Sequence, residues 1–320
     1  MKIIHCAPFN IMTKTGGALY ANPIKISSGL IQNNHFVHNF DYRDTARYFS
    51  IFKNKKNGTQ KMNNHLKQII DEIKPDLIIF GHAELIALET FEYIKNKNIK
   101  MVFWYNDLPY PKNIDQIENF FEAIFTTAYS SKYHFLPNLV DKNVEKYISY
   151  KNLSYKQDLL FTGRATDERA KLIQFIKNEI NCKQKFLGDT KESVVIGDDY
   201  LREISNSKIC LNHNRDFTLK YKWYSSDRLV HILANGAFCL STPIVNGEDF
   251  FEDKLEYYED FEQLKNKVEY FLQNDSLRVE KSKWLHTRVH ELFNAKRVGA
   301  YILDIVEQND KQLKQYEWVI

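Results

Sequence analysis

Short apolar runs alternate with stretches of helical spacing along most of the chain, and this alternation predicts its elements. Lys2–Ala7 (KIIHCA) predicts a strand, Pro23–Gln32 a helix, and Phe36–Phe40 a second strand. Asn63–Ile73 carries Ile69, Ile70 and Ile73 on one helical face. Lys74-Pro75-Asp76 ends that helix before the apolar strand Leu77–Phe80. Helix Leu85–Lys97 and strands Lys100–Tyr105 and Ala123–Thr126 follow. Beyond a polar region around 141–156 the alternation restarts, with strand Asp158–Thr162, helix Asp167–Ile180, strand Lys185–Leu187 and helix Tyr200–Ser205. Strand Ile209–Leu211, helix Asp227–Asn235 and strand Phe238–Ser241 come next. From Asp260 the pattern is helical, through Phe261–Leu272, Leu277–His290 and Arg297–Tyr316. A βαβα order builds a parallel sheet with helices on both faces. The expected class is α/β: two Rossmann-like domains facing a cleft, with C-terminal helices. Residues 1–150 form the first domain and 151–300 the second, joined near 145–156. Residues 301–320 form a helix that packs back on the first domain. Small ligands usually sit in such a cleft.

Bulk properties narrow the partners. The 320 residues suit two domains, and the 43% hydrophobic content can fill two cores. A net charge of +3, with lysines scattered among acids, offers no basic stripe, so nucleic acid is not an expected partner. The cluster Lys53–Lys56 (KNKK) reads as a solvated loop. Cys6, Cys182, Cys210 and Cys239 form no CxxC pair. Three of them lie in apolar runs, which suits buried free thiols in a reducing compartment. The N-terminus lacks a signal-peptide stretch and no run approaches a membrane span, so the expectation is a cytosolic protein that could still touch the inner face of a membrane.

The densest chemistry lies in 211–242, LNHNRDFTLKYKWYSSDRLVHILANGAFCLST. Asn212, His213, Asn214 and Arg215 follow the run Ile209–Leu211, where a parallel strand presents its carboxyl end and open α/β sheets bind ligands. Ser225, Ser226 and Asp227 supply N-cap chemistry for the next helix, whose free amides and dipole suit a phosphate. Arg228 is a cation at the wrong end of that dipole, which makes sense beside a bound anion; the bland alternative is a capped helix with a surface arginine. Gly163-Arg164 follows the first strand of the second half, with Thr166-Asp167 as helix cap, either a phosphate loop or a plain βα turn. Lys220 and Lys222 belong to the same cluster or to a loop. In the first half, Gly16-Gly17 suits a loop that folds over a ligand, or an ordinary flexible one. His82 and Asp107 end two strands and are the candidates for taking a proton from an acceptor hydroxyl; each also fits a simple turn. His286 and His290 have helical spacing but no third ligand nearby, so no metal site is expected.

In this order, PDLIIFGHAE, KMVFWYNDLP, PNLVD (Pro137–Asp141), DLLFTGRATDERAKLI, KICLNHNR and YSSDRLVHILANGAFCLST resemble GT-B glycosyltransferases of the spore-maturation-like branch, with a "glycosyl transferases group 1" C-terminal half. The resemblance spans nearly the whole chain. It implies transfer of a sugar from a nucleotide-sugar donor to a hydroxyl acceptor in surface polysaccharide or glycan assembly, the acceptor being a glycan or lipid-linked glycan. It also implies no cofactor and no dissociable metal, with retention as the commoner stereochemical outcome. Gly163 and Arg164 would line the nucleotide, Ser225 to Arg228 would meet the phosphates or donor sugar, and Gly236-Ala237 would let the helix end approach the ligand. Many relatives carry a glutamate for the ribose where this chain has His231, and an imidazole cannot accept two hydroxyl bonds as a carboxylate can. Either another group holds the ribose or the nucleotide sits differently. The alternative function is a non-catalytic or partner-dependent nucleotide-binding subunit; an epimerase of the same architecture would need further acidic and histidine residues.

Overall fold

Six apolar runs of the first part of the chain become the strands β1 (Lys2–Cys6), β2 (Phe36–Phe40), β3 (Leu77–Gly81), β4 (Lys100–Tyr105), β5 (Ala123–Thr126) and β6 (His134–Phe135). They pair in the order β2-β1-β3-β4-β5-β6, parallel throughout. β3 is buried along its whole length and β4 through its four central residues. Strands covered on both faces read as unbroken apolar runs for that reason. The computed structural model describes residues 1–111, 114–166 and 168–319. This first unit comprises Met1–Pro137 and Ala295–Ile320.

The second unit is Asn138–Asn294. Its strands are β7 (Gln157–Thr162), β8 (Gln184–Leu187), β9 (Ser207–Asn212), β10 (Phe238–Ser241) and β11 (Glu256–Tyr257), in the parallel order β11-β10-β9-β7-β8. Its core joins Leu159, Phe161, Leu211 and Leu240 with Leu172 and Ile176 of helix Glu168–Glu179 and Val268 of helix Phe261–Gln273. Both sheets have the same plan: the chain winds one way from the first strand, then returns to its other side. Each therefore has a switch point, between β1 and β3 and between β7 and β9, where doubly wound sheets bind ligands beyond the strand ends.

The expected α/β class with two Rossmann-like sheets and C-terminal helices is the observed one. Helix Tyr42–Tyr48 was not predicted. It has no apolar period and is set by Asp41, whose side chain caps it by accepting from the Asp44 amide. The expected helix Arg297–Tyr316 is two pieces, Ala295–Val306 and Asp310–Leu313, broken where Gln308 takes a φ of 55°. Within the first unit, Ala295–Val306 lies tightly on helix Asn22–Gln32; a Cβ on Gly29 would fall 1.9 Å from the Ala295 carbonyl oxygen. Cys6, Cys210 and Cys239 are buried free thiols, and Cys182 is half-buried. No helix among the described residues is long and apolar enough to cross a membrane.

Candidate functional site

At the switch point of the second sheet, β7 ends in Thr162-Gly163 and β9 ends in Asn212-His213. Arg228, in the first turn of helix Asp227–Ala234, reaches across both ends. Its Nη1 donates to the Thr162 carbonyl (2.6 Å), and its Nη2 to the His213 carbonyl (2.7 Å) and the Asn212 side chain (3.3 Å). Arg169, one residue into helix Glu168–Glu179, donates to the same His213 oxygen from Nε (3.2 Å) and Nη2 (2.9 Å). Two guanidinium groups thus converge on one carbonyl. Among the described residues neither has a carboxylate partner, and the buried Nε of Arg228 has no acceptor. Burial, then the neighbouring Arg228 and Arg215, pushes Arg169 down to about 10, and burial lowers Arg228 as well.

Gly163 makes the approach possible. Its φ is +148°, and a Cβ there would lie 3.0 Å from Arg228 Nη1 and 3.7 Å from Arg169 Nη1. The Phe161 ring lies 5.4 Å from the Arg228 guanidinium. His213 is buried beside both arginines. Its Nδ1 pairs with the Tyr258 hydroxyl (2.9 Å), its buried Nε2 has no partner, and burial with the two nearby cations brings it down to about 4.

The helix start is built differently from a simple cap. Ser226 occupies the N-cap position, yet its hydroxyl donates to Asn212 Oδ1 (2.8 Å) and makes no cap bond; its own amide donates to Asn214 Oδ1 (3.4 Å). Asn214 is in turn held by Thr242, whose hydroxyl accepts from its amide (3.1 Å). Asn212 and Asn214 are therefore buried supports of the helix start. Ser225, whose carbonyl accepts from Asn138 Nδ2, is half-buried, and Asp227 is exposed.

Other expected residues stand elsewhere. Arg164 and Arg215 are exposed, and the guanidinium that stands beside Arg228 comes from the half-buried Arg169, where the sequence suggested Arg164. A lone helical arginine gives no signal for such a role. Lys222 sets its ammonium 4.3 Å above the Trp223 ring, and Lys220 is exposed over Tyr221. His231 is 2% exposed and faces Tyr200, its Nδ1 3.3 Å from the hydroxyl; a side chain so buried is not presented to ribose hydroxyls. Gly236-Ala237 ends the helix at its far end. A Cβ on Gly236 would meet the Tyr150 ring at 2.8 Å, so its close approach is to protein. Asp167 lies outside the described residues. His290 Nε2 donates to the Ala234 carbonyl (3.0 Å), and no three metal-ligating side chains cluster among the described residues.

In the first unit, His82 follows β3 at that sheet's own switch point, with a φ of 61°. Its Nε2 pairs with Asn106 Oδ1 (2.7 Å) and its ring packs on Tyr105 (4.6 Å between centroids). Burial lowers its pKa, and Asp107, exposed after β4, opposes that by its charge. Asn106 is the partner that the sequence did not suggest. Gly16 and Gly17 sit in the turns after β1, Gly16 exposed with a φ of 78° and open space around it.

Comparison with known proteins agrees with this architecture. Residues 168–304, less than half of the chain, match the family described as glycosyl transferase-like. A comparison with curated proteins finds no match. Among solved structures, an alpha-glucosyltransferase in complex with UDP and a 13-mer DNA containing an HMU base is 12% identical with a TM-score of 0.64, covering 96% of this chain and 99% of that one. AviGT4, a glycosyltransferase involved in avilamycin A biosynthesis, is 10% identical with a TM-score of 0.65, covering 96% and 97%. A Listeria monocytogenes protein assigned as a UDP-N-acetylglucosamine 2-epimerase is 9% identical with a TM-score of 0.53, covering 98% and 97%. The fold is thus that of GT-B glycosyltransferases. Likeness at such identities defines the fold and leaves the activity to the site.

Proposed function

We propose that the chain is a glycosyltransferase that moves a sugar from a nucleotide-sugar donor to a hydroxyl acceptor. One observation carries the reading: the paired guanidiniums of Arg169 and Arg228 share the His213 carbonyl at the second switch point, without a carboxylate between them among the described residues. Two cations this close, Arg228 buried and Arg169 half-buried, repel each other, and a diphosphate would relieve that cost. The glycosyl transferase-like match covers the segment containing both.

In the transfer, the acceptor oxygen forms a bond to the sugar's anomeric carbon. The bond from that carbon to the phosphate oxygen breaks, leaving its electron pair on the departing nucleoside diphosphate. Arg169, Arg228 and the free amides at the Asp227 helix start would stabilise that growing charge without a divalent cation or cofactor. The acceptor's proton passes to the departing phosphate in a retaining reaction, or to His82 or Asp107 in an inverting one. Retention is the outcome we favour, from the resemblance. Arg164, Arg215 and Lys222 would contact the donor from the more accessible rim. The acceptor class we favour is a glycan or lipid-linked glycan in surface polysaccharide assembly. One neighbour of the same fold is a complex with DNA, which supports a nucleic-acid acceptor as the second reading.

Thermal-shift and calorimetric titration with UDP, GDP, CMP and ADP test the reading, UDP first because it occurs in the alpha-glucosyltransferase complex. The expected result is stabilisation by one nucleotide, followed by transfer from its sugar conjugate to an added acceptor. Binding of none would overturn the proposal. Nucleotide binding with sugar isomerised and never transferred would favour an epimerase; binding with no chemistry at all would favour the partner-dependent subunit.

A further inference from the structure

The first unit carries an apolar tip far more exposed than its interior would tolerate. Ile51 is 94% exposed, the adjacent Phe52 83%, and Tyr48 75%. Met12 and Ile11, from the turns after β1, are 58% and 53% exposed. The two segments meet: Met12, Thr13, Tyr48, Ile51 and Lys53 line one depression of about 490 Å³.

These side chains are held outward by built contacts. Asp44 accepts from the amides of Met12 (2.8 Å) and Thr13 (3.4 Å), and Asp41 accepts from the amide of Asn10 (2.6 Å). Arg47 pairs with the same Asp44 at 2.8 Å. The Lys53 amide bonds the Ser50 carbonyl (3.0 Å), and the Ser50 hydroxyl accepts from the Asn54 amide (3.2 Å). That closed turn places Ile51 and Phe52 at its apex.

Charge selects the occupant. No acidic residue occurs between Asp44 and Asp71, or anywhere before Asp41, so the rim of the tip is cationic. Asp41 and Asp44 are buried and turned to the amides beneath. Lys55 is engaged with Glu84 at 3.1 Å, but Lys14, Lys53 and Lys56 are exposed and have no carboxylate partner among the described residues. Apolar side chains raised on a turn and ringed by lysines match the headgroup region of an anionic bilayer, where the tip enters acyl chains and the amines meet phosphates. A pair of consecutive side chains projecting this far suits a fluid matrix better than the fitted pocket of a protein partner.

We propose that the turn 48–56, with Ile11, Met12 and Lys14 beside it, is a docking surface for anionic lipid membranes. The inference does not depend on the transferase reading. Flotation with vesicles of phosphatidylcholine alone, and of equal parts phosphatidylcholine and phosphatidylglycerol, tests it. The full chain should float with the mixed vesicles and only weakly with the neutral ones. The Ile51→Ser/Phe52→Ser variant should lose roughly tenfold or more in vesicle affinity. Lys53→Glu/Lys56→Glu should abolish the preference for anionic vesicles. All four positions are exposed, so both variants should keep the wild-type melting temperature. No flotation with either vesicle, or a serine variant that floats like wild type, would overturn the proposal. So would concentration-dependent dimerisation abolished by the serine variant without vesicle binding, since it would assign the tip to a second copy of the chain.

Discussion

Two guanidinium groups sharing the His213 carbonyl oxygen form an expensive arrangement, and the cost locates the residues to test. Arg169 is the cleaner probe, because it is only half-buried and its removal leaves Arg228 on the same oxygen. Arg169→Ala should keep the fold and weaken nucleotide binding about tenfold to a hundredfold, the loss expected for charge-assisted bonds of roughly 1.5–3 kcal/mol. Calorimetric titration reads this directly. Gly163→Ala should lose both affinity and about 1–3 kcal/mol of stability, since its Cβ would press on Arg228 Nη1 from a backbone that disfavours side chains. His213 adds a pH dependence. Its folded pKa of about 4 lies below the ordinary 6.5, so the unfolded chain binds the extra proton first. The stabilisation is complete above pH 6.5 and is lost as the pH falls toward 4, by an amount on the order of 3 kcal/mol. The gap between urea midpoints at pH 7 and pH 5 should narrow in His213→Gln relative to wild type; what remains belongs to the other histidines that burial lowers, His5, held at about 3, His82, His134 and His286 among them. Arg228 was legible in the sequence because a cation at a helix start is anomalous. Arg169 was not, because an arginine within a helix is ordinarily a surface residue. His213 read as part of a polar loop, and only the fold shows that its ring is enclosed by Tyr258 and the two arginines.

Most strands were legible, since parallel strands covered on both faces must be continuous apolar runs. β2, β4, β5 and β10 fall at the predicted bounds. The two-residue strands β6 and β11 were not, being too short to carry a pattern. Helix Tyr42–Tyr48 escaped for another reason: its stability comes from the Asp41 cap and from loop amides that bond Asp44, and neither leaves a periodic trace. That the C-terminal helix returns to the first domain was expected, but its start at Ala295 and its partner, helix Asn22–Gln32, join residues remote in sequence and need the fold. Gly29 meets Ala295 and Gly299 meets Gly29, so the two backbones touch where only glycine fits. Gly29→Ala should cost about 3 kcal/mol or more, since an inserted methyl there meets backbone that cannot turn aside. Thermal unfolding, with limited proteolysis of the segment after residue 294, would measure it.

At the scale of the whole molecule, two sheets of the same winding each present a switch point, and the two have unequal chemistry. The first offers a tilted histidine on Asn106 with Asp107 nearby; the second offers concentrated positive charge. The α/β class could be read from the order of apolar runs alone, whereas the charge asymmetry required the positions of Arg169 and His213. The central claim is that the second switch point binds a nucleoside diphosphate through paired guanidiniums without a metal ion. Calorimetric titration of UDP in the presence of EDTA, on wild type and Arg169→Ala, tests it most directly. Metal-free binding by the wild type that falls at least about tenfold in the variant is the predicted result. Binding that needs an added divalent cation, or that is unchanged by the substitution, would contradict it.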